Sequence, residues 1–161
     1  MASESIVLRV PTRAELHRVA PLAAELVRMH HAFDPQRFMC LEPLEVGYEH
    51  YFAGELRNPK AVILVAEEQG AFVGYAYGRM EERDWNSLLD SCGALHDIYV
   101  VETARRRGVA RRLVQELIAR LEAMGAPRIV LGTAWRNVAA ARFFEGFGFR
   151  RTMVEWTRER G

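Results

Sequence analysis

Cysteine is scarce in this sequence, and the two that occur are isolated from each other. Of 161 residues only Cys40 and Cys92 are cysteines, 52 positions apart and without a recognisable zinc-ligand pattern around them. Neither a disulfide framework nor a metal site is supported. No metal is therefore expected, and the composition fits a reducing compartment such as the cytoplasm.

Long apolar runs and an excess of one charge are also missing. No segment approaches the roughly 18 apolar residues of a membrane span, and residues 1–15 lack the basic start and apolar core of a signal peptide. Twenty-two Lys and Arg face 21 Asp and Glu, which gives a net charge of +1. We therefore expect neither a membrane nor a nucleic acid as a partner, and any functional charge must be local.

What remains is an ordinary globular composition. Half of the residues are hydrophobic and 27% are charged. A chain of this length can bury one sizeable core, and no internal repeat or linker divides it. A single domain over residues 1–161 is predicted.

Apolar periodicity predicts an alternation of strands and helices. Six strands are predicted, over residues 6–10, 61–66, 71–80, 94–101, 128–131 and 149–156. The four predicted helices begin at Leu16, Leu44, Val109 and Asn137, and they end near His30, Leu56, Gly125 and Gly146. The strands at 61–66 and 71–80 form a hairpin, whereas a helix connects those at 94–101 and 128–131. The fold class is thus α/β, with a mixed and mostly antiparallel sheet flanked by helices.

Local signals refine the first helix and the loop behind it. Thr12 followed by Glu15 is typical of a capping box, and Pro21 is expected to kink the helix or to start a new one. The loop over residues 30–43 is rich in His, Phe and Met and can line a site.

The most informative segment is residues 100–110, Val-Val-Glu-Thr-Ala-Arg-Arg-Arg-Gly-Val-Ala, where a strand leads into a helix. The first N–H groups of a helix have no intrahelical partner, and with the helix dipole they attract anions such as phosphate. Gly108 and the small Ala110 allow a ligand to approach the backbone closely. The segment is neither a Walker loop nor a three-glycine dinucleotide motif, which argues against nucleoside triphosphates and NAD.

This segment resembles the pyrophosphate loop of the GNAT superfamily of acyl-CoA-dependent N-acetyltransferases. That loop reads Arg or Gln, two residues, Gly, one residue, then Gly or Ala, and a second family block runs from Asn, two residues, Ala to Gly-Phe. Arg105, Gly108 and Ala110 match the first block, and Asn137, Ala140, Gly148 and Phe149 match the second. The resemblance implies a GNAT-like fold, acetyl-CoA as co-substrate, and transfer of its acetyl group to a primary amine.

The resemblance also assigns cofactor-binding residues. It implies that the CoA pyrophosphate is held by the backbone N–H groups of five residues: Arg106, Arg107, Gly108, Val109 and Ala110. Arg105 or Arg111 would meet the other phosphates. The thioester would insert beside Ile98, Tyr99 and Val100, where a backbone N–H polarises its carbonyl, and the Asn137 and Phe144 positions also belong to the cofactor site.

Candidate catalytic residues lie on the predicted strand 94–101. In polyamine-type members of the family this strand reads Leu-Glu-Asp before the loop, and here Leu95-His96-Asp97 stands in its place. His96 would accept a proton from the amine and Asp97 would help to bind a cationic substrate. Many members place at position 144 a Tyr that protonates the departing thiolate, but this chain has Phe144, so water or Tyr99 would have to serve.

Several alternatives stay open from the residues alone. His96 and Asp97 can instead be structural, and each arginine of the loop can merely be a solvated charge at the end of a helix. The missing acid admits an acyl-CoA-binding module with little turnover, and the arginine-rich helix admits, with less support, a nucleic-acid-binding regulator. His30, His31, Asp34 and His50 lack metal-ligand spacing. Homodimers formed through the C-terminal end are common in the family and are possible here. Whether the amine belongs to a small molecule or to a protein is not determined.

Overall fold

The computed structural model describes residues 6–161, which form five strands and four α-helices. The strands are β1 (Val7–Arg9), β2 (Ala61–Glu68), β3 (Ala71–Glu81), β4 (Cys92–Val100) and β5 (Ile129–Val130). The helices are α1 (Leu16–Phe33), α2 (Leu44–Glu55), α3 (Val109–Ala123) and α4 (Val138–Glu145). Short 3-10 turns, Arg13–Glu15 and Glu102–Ala104, precede α1 and α3.

The strands form one sheet in the order β1-β2-β3-β4-β5. Its first four strands are antiparallel, and β5 runs parallel to β4 after the crossover through α3. Parallel neighbours require such a crossover, and a helix is its usual form. The predicted α/β architecture, a mixed and mostly antiparallel sheet flanked by helices, is confirmed.

The core has two layers because side chains of a strand alternate between the faces of the sheet. From β2, Val62 and Leu64 pack on the face covered by α3, whereas Ile63 and Val65 pack on the face covered by α1 and α2. All four are buried. The apolar run at residues 61–66 is therefore continuous because both faces of β2 are covered.

Of the two signals near the N-terminus, the capping box forms as predicted, whereas Pro21 does not start a new helix. The capping box is present, with the Thr12 N–H donating to Glu15 Oε2 at 2.9 Å. α1, in contrast, runs through Pro21 without starting a new helix. Leu16, Val19 and Ala23 of this helix are fully buried, and that burial outweighs the one backbone hydrogen bond that proline removes.

The prediction of a closing strand over residues 149–156 is wrong. Residues 150–161 have no regular secondary structure and are exposed. β5 is only two residues long and offers no extended edge for pairing, so β-propensity alone does not form a strand there. Met153 and Trp156 consequently remain 81% and 90% exposed.

Candidate functional site

The site is built around a gap between β4 and β5. The two strands pair only at Gly93 with Ile129 and at Ala94 with Val130. Beyond this point, over residues 95–100, no strand within residues 6–161 pairs with β4 on the β5 side. The N–H of Val101 donates to Val73 O at 2.9 Å, and because backbone groups alternate along an antiparallel strand, the N–H groups of Ile98 and Val100 face the gap. Ile98, Tyr99 and Val100, beside which the thioester is predicted to insert, lie along this gap.

A backbone nest adjoins the end of this gap. The 3-10 turn Glu102–Ala104 leads to Arg106 with φ +61° and to Gly108 with φ +79°, and α3 starts at Val109. In the part of the chain that the structure describes, the N–H groups of residues 106–111 have no backbone acceptor, and the first such bond is Arg112 N–H to Gly108 O at 3.1 Å. Consecutive unpaired N–H groups beside left-handed residues form a concave anion site.

Space at this nest is open on the side of Gly108. A Cβ added at Gly108 would meet no atom within 4 Å. The glycine is thus required here by its positive φ and not by crowding from the protein itself. The empty space in front of the backbone is available to a ligand.

The arginines around the nest have different partners. Arg105 donates from Nε to Val100 O at 2.9 Å, and its guanidinium lies 5.7 Å from the centre of the Tyr99 ring. Arg107 forms a bidentate pair with Glu68, which lowers the pKa of that carboxyl. Arg106 and Arg111 are exposed and have no salt bridge within residues 6–161. The predicted cluster is therefore brought together, although Arg107 is already neutralised by a protein carboxylate.

Asp97 lies on the opposite side of β4 from α3, under α1 and α2. Tyr75 Oη donates to Asp97 Oδ2 at 3.0 Å. Burial raises the pKa of Asp97 and outweighs the opposite effects of the Tyr75 hydrogen bond and of the nearby His96 and His30. Burial and the charge of Asp97 together raise the pKa of Tyr48 to about 12. A carboxylate with so little hydration and aromatic neighbours is suited to a cationic ligand.

His96 occupies a bulge and is held by its neighbours. Asp97 pairs with Tyr77 and Leu95 pairs with Gly78, so His96 has no residue opposite it on β3. Its Nε2 lies 2.9 Å from Glu81 Oε1, and its ring stacks on that of Tyr77 with centroids 5.5 Å apart. All three predicted catalytic residues, His96, Asp97 and Tyr99, therefore lie on β4.

Two predicted cofactor residues have structural partners. Asn137 caps α4, since its side-chain oxygen accepts from the Ala140 N–H at 3.1 Å. Phe144 is 5% exposed and packs its ring against Phe143 and Phe149 in the core. In this structure Asn137 therefore acts as a helix cap and Phe144 as part of the core.

Several other acidic side chains are engaged in ion pairs or in turns. Glu42 and Glu45 bind Arg28, Glu82 binds Lys60, and Asp84 caps the turn before Ser87. Within residues 6–161 no three His, Cys, Asp or Glu side chains are grouped closely enough to hold a metal ion. No helix of the same residues has the length and apolar character required to cross a membrane.

A polar chain beside His96, with Glu55 buried and Tyr51 at its exposed end, was not predicted from the sequence. Tyr77 Oη donates to Glu55 Oε2 at 2.5 Å and is joined to Tyr51 Oη at 2.8 Å. Tyr51 and Glu55 are four residues apart on α2, so they share a helix face. The spacing of Tyr51 and Glu55 could have indicated a polar pair on α2. Their strand partner, Tyr77, could be identified only from the tertiary structure.

Comparison with known proteins agrees with this geometry. The Acetyltransferase (GNAT) family model matches residues 26–149. An uncharacterized N-acetyltransferase, YhfO of Bacillus subtilis, is 29% identical over 103 residues, which cover 64% of this chain and 68% of that protein. The BH1408 protein of Bacillus halodurans has a similar fold, with a TM-score of 0.82, 20% identity, and coverage of 95% of this chain and 99% of that one. The aminoglycoside N-acetyltransferase AAC(6')-Iy, in a complex with CoA, aligns over 100% of both chains with a TM-score of 0.77 and 18% identity.

Proposed function

The chain belongs to the GNAT acetyltransferase family, and from this membership we propose that it transfers the acetyl group of acetyl-CoA to a primary amine by direct attack within a ternary complex. The observation that carries the proposal is the nest of unpaired N–H groups at residues 106–111, placed at the end of the β4–β5 gap. If the diphosphate of acetyl-CoA is held at the nest, the chain that carries the thioester would run along the open edge of β4.

The cofactor side of the site would rely mainly on the backbone. The N–H groups of residues 106–110 would hold the diphosphate, and the exposed Arg106 and Arg111 would contribute charge. The N–H groups that face the gap, those of Ile98 and Val100, would donate to the thioester oxygen as negative charge develops on it. Donors of this kind are worth about 3 kcal/mol to a transition state in a dry site.

The acceptor side would lie on the face of Asp97. An amine reaches the site mainly as an ammonium at neutral pH. The Asp97 carboxylate would attract it among the rings of Tyr75 and Tyr48, and the ion pair would offset part of the cost of burying that carboxylate. We propose a cationic amine as the substrate class on this ground.

Transfer would then need a group that accepts a proton from the amine and a group that donates a proton to the departing thiolate. The amine would lose a proton to His96, and its nitrogen would attack the carbonyl carbon, after which the C–S bond would break. Water or Tyr99 would protonate the thiolate, since Phe144 has no proton to give, and would regain that proton from the nitrogen of the adduct as the amide forms. A thiol with a pKa of about 8.5 is a tolerable leaving group without a dedicated acid.

A covalent acyl-enzyme is disfavoured by the state of the buried cysteine. Desolvation raises the pKa of Cys92, which makes its thiol a poor nucleophile. The other cysteine, Cys40, makes no side-chain hydrogen bond to a histidine in residues 6–161. Both support direct attack over a two-step route.

Phe144 supports a second candidate, an acyl-CoA-binding module with little turnover. The two candidates are separated by measuring CoA binding by calorimetry and, in parallel, thiol release and acetylated product with a panel of polyamines, aminoglycosides, arylalkylamines and protein N-termini. Release that depends on one amine class supports the transferase. CoA binding with no release for any amine supports the binding module, and absence of CoA binding rejects both.

We also propose that the protein forms a homodimer in the cytoplasm. The exposed apolar residues of the C-terminal segment, Met153 and Trp156, support pairing with a second copy. Two free cysteines suit a reducing compartment.

A further inference from the structure

We infer that Glu81 is a positioning residue that orients His96 for proton uptake from the amine. The inference rests on the proposed transferase function, and it assigns a role to a carboxylate outside the strand that carries the candidate base.

The bulge gives His96 its direction. The pairing of β3 with β4 shifts by one residue between Tyr77 and Gly78, which leaves His96 as the extra residue of β4. Bulges of this kind re-aim a side chain and are found beside active sites. The His96 side chain is partly exposed, at 43%, and therefore accessible to a substrate.

Two contacts hold the imidazole ring in one orientation. Glu81 Oε1 lies 2.9 Å from Nε2, and the Tyr77 ring lies at 24° to the imidazole plane. An ionised carboxylate only accepts hydrogen bonds, so Nε2 must carry a hydrogen, and in the neutral ring the lone pair is on Nδ1. Within residues 6–161 Nδ1 has no hydrogen-bond partner. Nδ1 is the nitrogen that takes the proton, and Glu81 stabilises the imidazolium that results.

The supporting groups are themselves fixed. Arg79 Nε forms an ion pair with Glu81 Oε1 at 3.2 Å without hydrogen-bond geometry, and the Tyr77 hydroxyl is bonded to the buried Glu55 at 2.5 Å and to Tyr51 at 2.8 Å. The orientation of the imidazole is thus determined by the end of β3 and by α2, two elements outside the loop that would bind CoA. Removing Glu81 should therefore change proton transfer and leave CoA binding unaltered.

The test compares Glu81→Ala with Glu82→Ala, a matched change at the adjacent glutamate, which binds Lys60 and does not touch His96. Nitrogen NMR of the ring identifies the His96 tautomer, calorimetry gives CoA affinity, and steady-state kinetics give kcat and KM for the amine. His96→Gln and the double variant complete a cycle. Glu81→Leu keeps much of the side-chain volume without an acceptor, and serves if Glu81→Ala folds poorly.

We expect a hydrogen-bonded Nε2–H in the wild-type protein and in Glu82→Ala, and a loss of that hydrogen bond in Glu81→Ala, seen as a shifted Nε2 resonance and faster exchange of its hydrogen. The kcat of Glu81→Ala should fall about tenfold, and that of His96→Gln about 100-fold, as for a lost proton acceptor. CoA affinity and the KM for the amine should stay within about twofold, and Glu81→Ala should add less than about twofold in the His96→Gln background.

Three results would overturn the inference: an unchanged Nε2–H signal in Glu81→Ala, an unchanged kcat, or a tenfold loss that persists in the absence of His96. Failure of the proposed function looks different. In that case the wild-type protein itself releases no thiol with any amine, although the tautomer is still measurable.

Discussion

Tyr75 of β3, which pairs with Tyr99, reaches diagonally across to Asp97 of β4, and its phenol donates to the carboxylate at 3.0 Å. The bond is short enough to fix the carboxylate but satisfies only one of its two oxygens. Burial still dominates and raises the pKa of Asp97. The unfilled hydrogen-bonding capacity of Asp97 is what makes this position a candidate ammonium site.

Asp97→Asn is expected to stabilise the fold and to impair turnover. A carboxyl whose pKa is raised on folding binds protons more tightly when folded, so its ionised form opposes folding at neutral pH. The variant should melt at a higher temperature at pH 7, and the difference should shrink as pH falls through the raised pKa of Asp97 toward the ordinary aspartate range. Calorimetric scans from pH 7 to pH 4 measure this.

The activity of the same variant should fall by about 100-fold in kcat/KM for the amine, because the charge that holds the ammonium is lost. CoA affinity should not change. Glu25→Gln, a change at an exposed α1 glutamate paired with Arg28, is the control. A variant that is less stable at pH 7, or fully active, would contradict the role given to Asp97.

Gly108→Val is expected to weaken CoA binding more than about tenfold, because the side chain occupies the space in front of the nest and several charge-assisted hydrogen bonds are lost. Gly70→Val is the matched control. Gly70 has φ +77° and Gly108 has φ +79°, and an added Cβ meets nothing at either. Both variants should lose a similar 1–3 kcal/mol or so of folding free energy from backbone strain.

Calorimetric titration with CoA and urea unfolding separate these two effects. Only Gly108→Val should lose CoA affinity. Equal affinity in the two folded variants would remove the nest from the site.

Asn137→Ala is expected to lower the unfolding free energy by about 1 kcal/mol, because it removes the cap of α4. Asn137→Ser should restore most of this loss, since a hydroxyl can accept from the Ala140 N–H. Urea unfolding and CoA titration of both variants are the measurements. If the serine variant regains stability but still binds CoA weakly, the asparagine has a direct contact with the cofactor as well.

Trp156→Ser is expected to convert the proposed dimer into a monomer. Trp85→Ser is the control, because Trp85 is also exposed, at 74%, but lies on the connection between β3 and β4. Sedimentation velocity at several protein concentrations distinguishes the outcomes. A wild-type monomer at all concentrations, or dissociation caused only by Trp85→Ser, would reject the C-terminal interface.

Much of the fold was predictable because its signals are local. The apolar run at residues 61–66, the capping box at Thr12 and Glu15, and the helical periodicity after Val109 each depend on neighbours within a few residues. The strand predicted at residues 149–156 does not form, because strand formation depends on a distant partner and not on local signals. A strand forms only if another strand lies beside it, and β-propensity does not report whether one is present.

By itself, the sequence determined the family, the α/β architecture and the position of the candidate anion-binding turn, since Gly108 with its positive φ and the start of α3 are properties of one short segment. Only the tertiary structure decided what surrounds His96 and Asp97. Glu81, Tyr77 and Tyr75 reach them through the register of β3 against β4, and Tyr48 reaches Asp97 through the packing of α2 on that sheet. Contacts between distant segments depend on register and packing, which no spacing within a single segment encodes.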